Sequence, residues 1–355
     1  MSEKKEEKIV KFKPGISIDT GTANIVVCRM DTDGNFVNRF HRNMLYEMDV
    51  NDESADLLEK SKYSFIKTNG KYYVVGADAL NLVAALGKGD VIRCMKDGLL
   101  NPALKESSDL LFQIISSIVG KPIIDKEPLR FVVPASPIDR DVDNLFHKMV
   151  LSGFFIKLGY DAKDINEGMA VCYNDNPIMK SHDEGDIPLS GISISFGAGM
   201  QNLALSFRGV SMVEFSCSRS GDYIDEMTSR VTGVPISKVI KIKERELNLD
   251  KINASDRVQV ALGIYYDELI NRVVHDISNK FKEKGSEMDG EIEVVVAGGT
   301  SMPLGFCSKF EAIIRKSDMP FKIYRVRASE NPFFAVSQGA CLRSQADYKR
   351  LSNGK

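Results

Sequence analysis

The phrase Gly-Ile-Ser-Ile occurs twice in the chain, and each copy runs into a glycine turn followed by a returning apolar segment. The first copy, Gly15–Ile18, continues as Asp19-Thr20-Gly21-Thr22-Ala23-Asn24. The second, Gly191–Ile194, continues as Ser195-Phe196-Gly197-Ala198-Gly199-Met200. Glycine permits turn dihedrals and close backbone approach, so the amide N–H groups of such a turn are free to face an anion. Two of these turns facing each other across a cleft make a two-jawed phosphate clamp. Ordinary β-turns are the competing reading of the same residues.

Strands must hold each jaw. In the first half, strands near Gly15–Ile18 and Asn24–Arg29 lead through a turn at Asp31-Thr32-Asp33-Gly34 to a third near Phe36–Phe40. A peripheral subdomain is expected over 43–91, with a hairpin turning at Asn69-Gly70. An apolar strand, Leu129–Val133, is stopped by Pro134. A helix is then predicted from Asp139, with Asp139 or Asp141 at its N-terminus and an apolar face of Val142, Leu145, Phe146, Met149, Val150, Phe154 and Leu158. A strand at Asp164–Asn166 leads into a helix starting near Glu167.

The second half repeats the meander from Gly191 to about Ser216. Helices follow near Tyr223–Val231, Ser237–Leu247 and Ser255–Lys284, the last stopped by Gly285. A buried strand, Glu291–Val296, ends in Ala297-Gly298-Gly299-Thr300-Ser301. The whole reads as a duplicated α/β fold of two lobes, 14–166 and 167–345, around a cleft. Between 232 and 256 the second lobe has room only for a small, mainly helical subdomain. Residues 1–13 and 346–355 read as tails.

Bulk properties narrow the function. The chain has 355 residues, 43% apolar and 27% charged, with a formal charge of −2, and so lacks the basic footprint of a nucleic-acid binder. No apolar run approaches the roughly 20 residues of a membrane span. The first residues alternate Lys and Glu without the apolar core of a signal peptide. Six scattered cysteines without a CxxC pair read as buried reduced thiols in a cytoplasmic protein, and four isolated histidines argue against zinc.

The order of motifs carries a resemblance. An acidic glycine hairpin, a Val-Pro strand, a second glycine hairpin and a strand ending in Gly-Gly-Thr follow one another as in the actin and heat-shock-chaperone ATPase superfamily. Asp19–Asn24 is similar to the first phosphate loop of the bacterial cell-shape protein MreB and its relatives. Tyr73–Ala79 and Ile92–Leu99 resemble the MreB segment that returns to the first lobe. Gly221-Asp222-Tyr223-Ile224-Asp225-Glu226 resembles its GDxxDE stretch. Ile242-Lys243-Glu244 and Gly298–Met302 resemble actin itself.

The resemblance implies an actin-like, ribonuclease H-like fold that binds ATP or GTP with Mg²⁺ between its lobes. Asp19 would hold the magnesium through water, because magnesium dehydrates reluctantly. Gly21, Thr22, Ala23 and Asn24 would face the terminal phosphates from one side, and Ser195, Gly197, Ala198, Gly199 and Met200 from the other. Glu167 would orient the attacking water, its alternative role being to stabilise a helix N-terminus. Gly298, Gly299, Thr300, Ser301 and Met302 would shelf the nucleoside. Lys243 and Glu244 would face ribose and base, or else lie on a solvated helix face. Gly221 and Asp225 would serve the ribose and phosphate side, or cap a helix.

Two positions depart from the pattern. Ser195 stands where relatives carry an aspartate, and Met200 where MreB-like loops place a threonine. Losing one such transition-state contact typically costs about 10²–10³ in rate. Slow hydrolysis is therefore expected, with Gln201 partly replacing the lost polar contact. The leading expectation is a cytoplasmic, cytoskeletal protein that adds head-to-tail to copies of itself in nucleotide-regulated filaments. A regulatory or chaperone-type ATPase, a small-metabolite kinase of the same superfold and a nucleotide-binding scaffold without turnover are the alternatives.

Overall fold

The computed structural model describes residues 10–86, 90–283 and 290–353. The expected helix stop at Gly285, and the first nine and last two residues of the expected tails, lie outside them. In chain order the first half comprises β1 (Phe12–Thr20), β2 (Asn24–Asp31), β3 (Phe36–Arg42), β4 (Leu45–Asp49), α1 (Asp52–Ser61), β5 (Phe65–Thr68), β6 (Lys71–Val75), α2 (Ala77–Leu86), β7 (Met95–Lys96), β8 (Leu99–Leu100), α3 (Ser107–Val119), β9 (Pro128–Val133), α4 (Leu145–Lys157), β10 (Asp161–Asn166) and α5 (Glu167–Asp175). The second half comprises β11 (Ile178–Ser181), β12 (Gly185–Pro188), β13 (Gly191–Phe196), β14 (Gln201–Phe207), β15 (Val210–Cys217), α6 (Gly221–Thr232), α7 (Ile236–Arg245), α8 (Arg257–Glu283), β16 (Glu291–Ala297), α9 (Phe306–Ile314), β17 (Lys322–Ala328) and α10 (Ala335–Asn353).

Pairing shows the duplication. One sheet runs β3-β2-β1-β9-β10, with β1 and β9 parallel. The other contains β15-β14-β13-β16-β17, with β13 and β16 parallel, and carries the hairpin β11–β12 at its edge. Each sheet is thus a three-strand meander joined to two parallel strands, and a helix follows the last of them: α5 after β10, α10 after β17. These two helices cross in contact. At Gly339 of α10 a Cβ would lie 1.8 Å from the carbonyl oxygen of Ala170, so the crossing requires glycine. A small three-stranded sheet, β4-β6-β5, packs with α1 and α2 around a cluster that includes Met44, Leu58 and Leu82. Between 232 and 256 the one regular element is helical, α7.

Separate cores fill the two halves. Ile16, Ile18, Phe131, Leu151 and Phe155 belong to one, and Ile194, Phe196, Leu262, Tyr266 and Val294 to the other. On α8, Tyr266 is a fully buried ring.

Three expectations need correction. The predicted helix from Asp139 begins only at Leu145, because the segment before it crosses to the second sheet. There the Ile138 N–H donates to the Ser216 carbonyl at 2.9 Å, and Asp139 accepts from the Ser218 N–H and hydroxyl. That crossing rotates α4, so its buried side chains are His147, Leu151 and Phe155. Phe146 is 70% and Met149 61% exposed, so the expected core face points outward over its first two turns. At the other end of the chain, 346–353 is no tail: α10 runs to Asn353, and buried Asp347 pairs with Arg130 at 2.6 Å. Finally, Phe12 and Lys13 belong to β1 rather than to a tail.

Candidate functional site

The two glycine turns face each other. The N–H groups of Gly21, Thr22 and Ala23 make no hydrogen bond to any described residue, and neither do those of Ala198 and Gly199. Gly197 differs from the expectation: its N–H donates to the Met200 carbonyl at 2.9 Å and closes its own turn. The facing is close. A Cβ at Gly199 would lie 2.5 Å from Thr22 Oγ1 and 2.6 Å from the Gly98 nitrogen. The Gly98 N–H donates to Thr22 Oγ1 at 2.9 Å, so the β7–β8 turn links the jaws. Met200 packs its thioether over the bare face of Gly98.

A cleft of about 760 Å³ lies between the halves. Asp19, Gly21, Thr22, Ala23, Asn24, Glu167, Ser195, Gly197, Ala198, Gly199, Met200, Asp225, Lys243, Glu244, Gly298, Gly299, Thr300 and Met302 line it. Two expected residues stand behind the wall. The Gly221 N–H donates to the Gly197 carbonyl at 3.2 Å, and Ser301 Oγ donates to the Gly298 carbonyl at 2.9 Å. Both support wall residues from the back, as backbone packing demands. Gln201 is likewise turned away; with its amide oxygen and nitrogen exchanged to suit their neighbours, it donates to the Cys217 carbonyl at 3.1 Å and accepts from Arg272 at 3.2 Å.

Glu167 is the first residue of α5, and Asn166 caps that helix by accepting from the Met169 N–H. Its carboxylate is held at both oxygens by the opposite sheet. Ser195 Oγ donates to Oε1 at 2.6 Å, and Asn202 Nδ2 donates to Oε2 at 2.6 Å. Asn202 in turn accepts from the Ala135 N–H at 3.0 Å. The hydroxyl that replaces the expected aspartate is therefore, with Asn202, one of the two groups that fix Glu167.

Burial pushes the Asp19 carboxyl above the ordinary carboxylate range. It does the same to Glu167, where the neighbouring Asp19 charge adds to the rise and the Ser195 hydrogen bond opposes it. Two half-buried carboxyls, the charge of one raising the other, favour retaining protons. A hard divalent cation suits such a pair, taking one or two carboxylates and completing its shell with phosphate and water. Among the described residues no group of three or more His, Cys, Asp or Glu side chains converges as a metal cage.

Lys243 faces the wall with its charge already matched. Its Nζ donates to Asp225 Oδ2 at 2.6 Å and to the Gly221 carbonyl at 3.2 Å. Burial still raises the Asp225 carboxyl to about 6, with Lys243 opposing the rise. Asp225 Oδ1 is buried without a partner.

The sequence reading missed the pairs that cross the cleft. Arg93 Nη1 holds both oxygens of Asp222, at 2.8 and 2.7 Å, and Arg42 meets Glu244 at 3.1 Å. Phe40 and Phe333 add an aromatic edge contact at 5.5 Å on the same wall. Arg93 and Asp222 lay within motifs already noted, but 129 residues separate them, and no periodicity reports such a pairing.

The profile of the Volactin family, a family of actin-like proteins, matches residues 15–343. Among curated protein sequences none matches. Solved structures do. MreB5 of Spiroplasma citri bound to AMPPNP superposes with a TM-score of 0.63 at 14% identity, over 97% of this chain and 99% of that one. The MamK double helical filament gives 0.65 at 15%, over 93% and 98%. The ethanolamine utilization protein EutJ from Carboxydothermus hydrogenoformans gives 0.54 at 14%, over 94% and 91%. At these identities the likeness is one of fold: two lobes, actin-like.

Proposed function

The chain belongs to the Volactin family of actin-like proteins, and from that premise we propose that it binds Mg-ATP or Mg-GTP in the cleft and assembles head-to-tail into nucleotide-regulated filaments, as a cytoplasmic cytoskeletal element. The observation that carries this reading is the opposition of the jaws, Gly199 against Thr22, each with unused N–H groups turned toward one cleft. The nucleotides named with the MreB5 structures, AMPPNP and ADP, and the filament named for MamK support it.

Asp19 fits a magnesium ion accompanied by phosphate, with Glu167 beside it. Bound there, the metal would offset triphosphate charge; Glu167 would aim water, held at both oxygens by Ser195 and Asn202. With Ser195 neutral and Met200 apolar, the second jaw supplies neither charge nor a side-chain donor to the water beyond Ser195's bond to Glu167. Hydrolysis is accordingly slow. Both jaws would touch the same phosphates, so nucleotide favours the closed protomer. A head-to-tail contact is heterologous and propagates as an open filament.

Sedimentation with Mg-ATP, with Mg-ADP and without nucleotide tests the proposal. Pelleting that depends on nucleotide supports it. A soluble monomer that transfers phosphate to an added metabolite would replace it with the kinase alternative.

A further inference from the structure

The cleft wall contains a titratable side chain with no role in the scheme above. His147, in the first turn of α4, is 3% exposed and lines the cleft, and neither ring nitrogen has a hydrogen-bond partner. Its position on a helix otherwise buried through Leu151 and Phe155 would suit a leucine. Leaving a buried polar group unpaired is costly, so a native protein that keeps one warrants an explanation.

A second orphan occupies the same end of the same sheet face. Thr20, the last residue of β1, is 4% exposed, lines the cleft, and leaves Oγ1 without a partner. Side chains alternate along a strand, so Thr20 shares a face with Ile16 and Ile18, whose core includes Leu151 and Phe155 of α4. Asp19 shares the other face with Ser17, which donates to α10 at the Ser337 carbonyl. β1 and β9 run parallel, and α4 returns from the end of β9. The first turn of α4 therefore sits at the strand ends, beside the tip of the first jaw. That tip has the carboxylate pair on one face and two unpartnered neutral groups on the other.

We infer that His147, seconded by Thr20, is a positioning residue for a phosphate group at the closed end of the cleft, donating an imidazole N–H to a phosphate oxygen. Burial, which lowers the ring to about 4, keeps it neutral, with one N–H donor and one acceptor. A neutral donor holds a phosphate oxygen without the grip of a full charge, which suits a phosphate that must leave. The chemistry fits either the terminal phosphate of a nucleoside triphosphate or free inorganic phosphate beside the diphosphate. The inference rests on the nucleotide-binding reading.

The test compares wild type with His147→Leu, His147→Gln and Thr20→Val in three titrations: Mg-ATP, Mg-ADP, and inorganic phosphate added to the Mg-ADP complex. His147→Leu should weaken Mg-ATP about 10-fold, leave Mg-ADP within about twofold, and keep or raise the nucleotide-free melting temperature. His147→Gln, which retains an N–H donor, should recover most of the loss. Thr20→Val should act in the same direction more weakly, and it serves as the readout should His147→Leu not fold. Loss of inorganic-phosphate binding as well assigns the site to phosphate from either source; loss for Mg-ATP alone assigns it to the bound triphosphate. Equal losses for Mg-ATP and Mg-ADP, or none, overturn the inference. A wild type that binds neither nucleotide overturns the nucleotide reading itself, and this inference falls with it.

Discussion

The first jaw, at Asp19–Asn24, and the second, at Ser195–Met200, descend from the same phrase and sit at equivalent places in their sheets, yet they divide the work. The first brings a carboxyl that burial raises above the ordinary carboxylate range. The second brings a hydroxyl whose bond goes to Glu167, which itself begins the helix that follows β10 of the first sheet. A carboxylate at position 195 would stand within hydrogen-bond distance of Glu167 and crowd three acids into one site. Serine gives up charge there and braces Glu167 instead. Duplication thus supplied two similar backbones, and side-chain divergence made one jaw electrostatic and the other a brace.

Four substitutions or conditions break or sharpen that contrast. Glu167→Gln should lower single-turnover hydrolysis by about 10²–10³ while leaving nucleotide affinity nearly intact. Asp19→Asn should weaken Mg-ATP by about 100-fold, or about 2.8 kcal/mol at about 1.4 kcal/mol per decade, with little change for ATP measured without magnesium. Ser195→Ala removes only the brace: hydrolysis should slow about 10-fold with affinity unchanged, and an equal loss of affinity would mean that the serine belongs to the binding surface.

The smallest effect is one of pH. Asp19, Glu167 and Asp225 all have carboxyls raised in the folded protein, so the native state binds their protons more tightly than the unfolded chain does. Their contribution to stability is present at low pH and is lost as pH rises through the raised values. Metal-free protein should therefore lose melting temperature between about pH 6 and 8, and saturating Mg-ATP should flatten that slope. A metal-free protein that gains stability over the same range would contradict the assignment.

Much of the fold was legible because it is written in local pattern. The meanders at Gly15–Phe40 and Gly191–Ser216, the hairpin at Asn69-Gly70 and the helix beginning at Glu167 are set by alternation, turn residues and a capping asparagine. The first jaw was legible for the same reason. What pattern could not give was anything decided across the cleft. The phase of α4 depends on Asp139 bonding to Ser218. The tether on Glu167 depends on Asn202, 35 residues on, and the bridge from Arg93 to Asp222 on a partner 129 residues away. His147 lay off the stripe that read as core, and only its burial and its orphaned nitrogens distinguish it.

Calorimetric titration of Mg-ATP into the wild type and into Gly199→Val tests the central claim most directly. If the two turns close on a single triphosphate, the wild type takes up one nucleotide per chain, and the valine, forced against Thr22 and Gly98, abolishes most of that heat. A wild type without saturable binding, or a valine variant that binds equally well, would contradict the account.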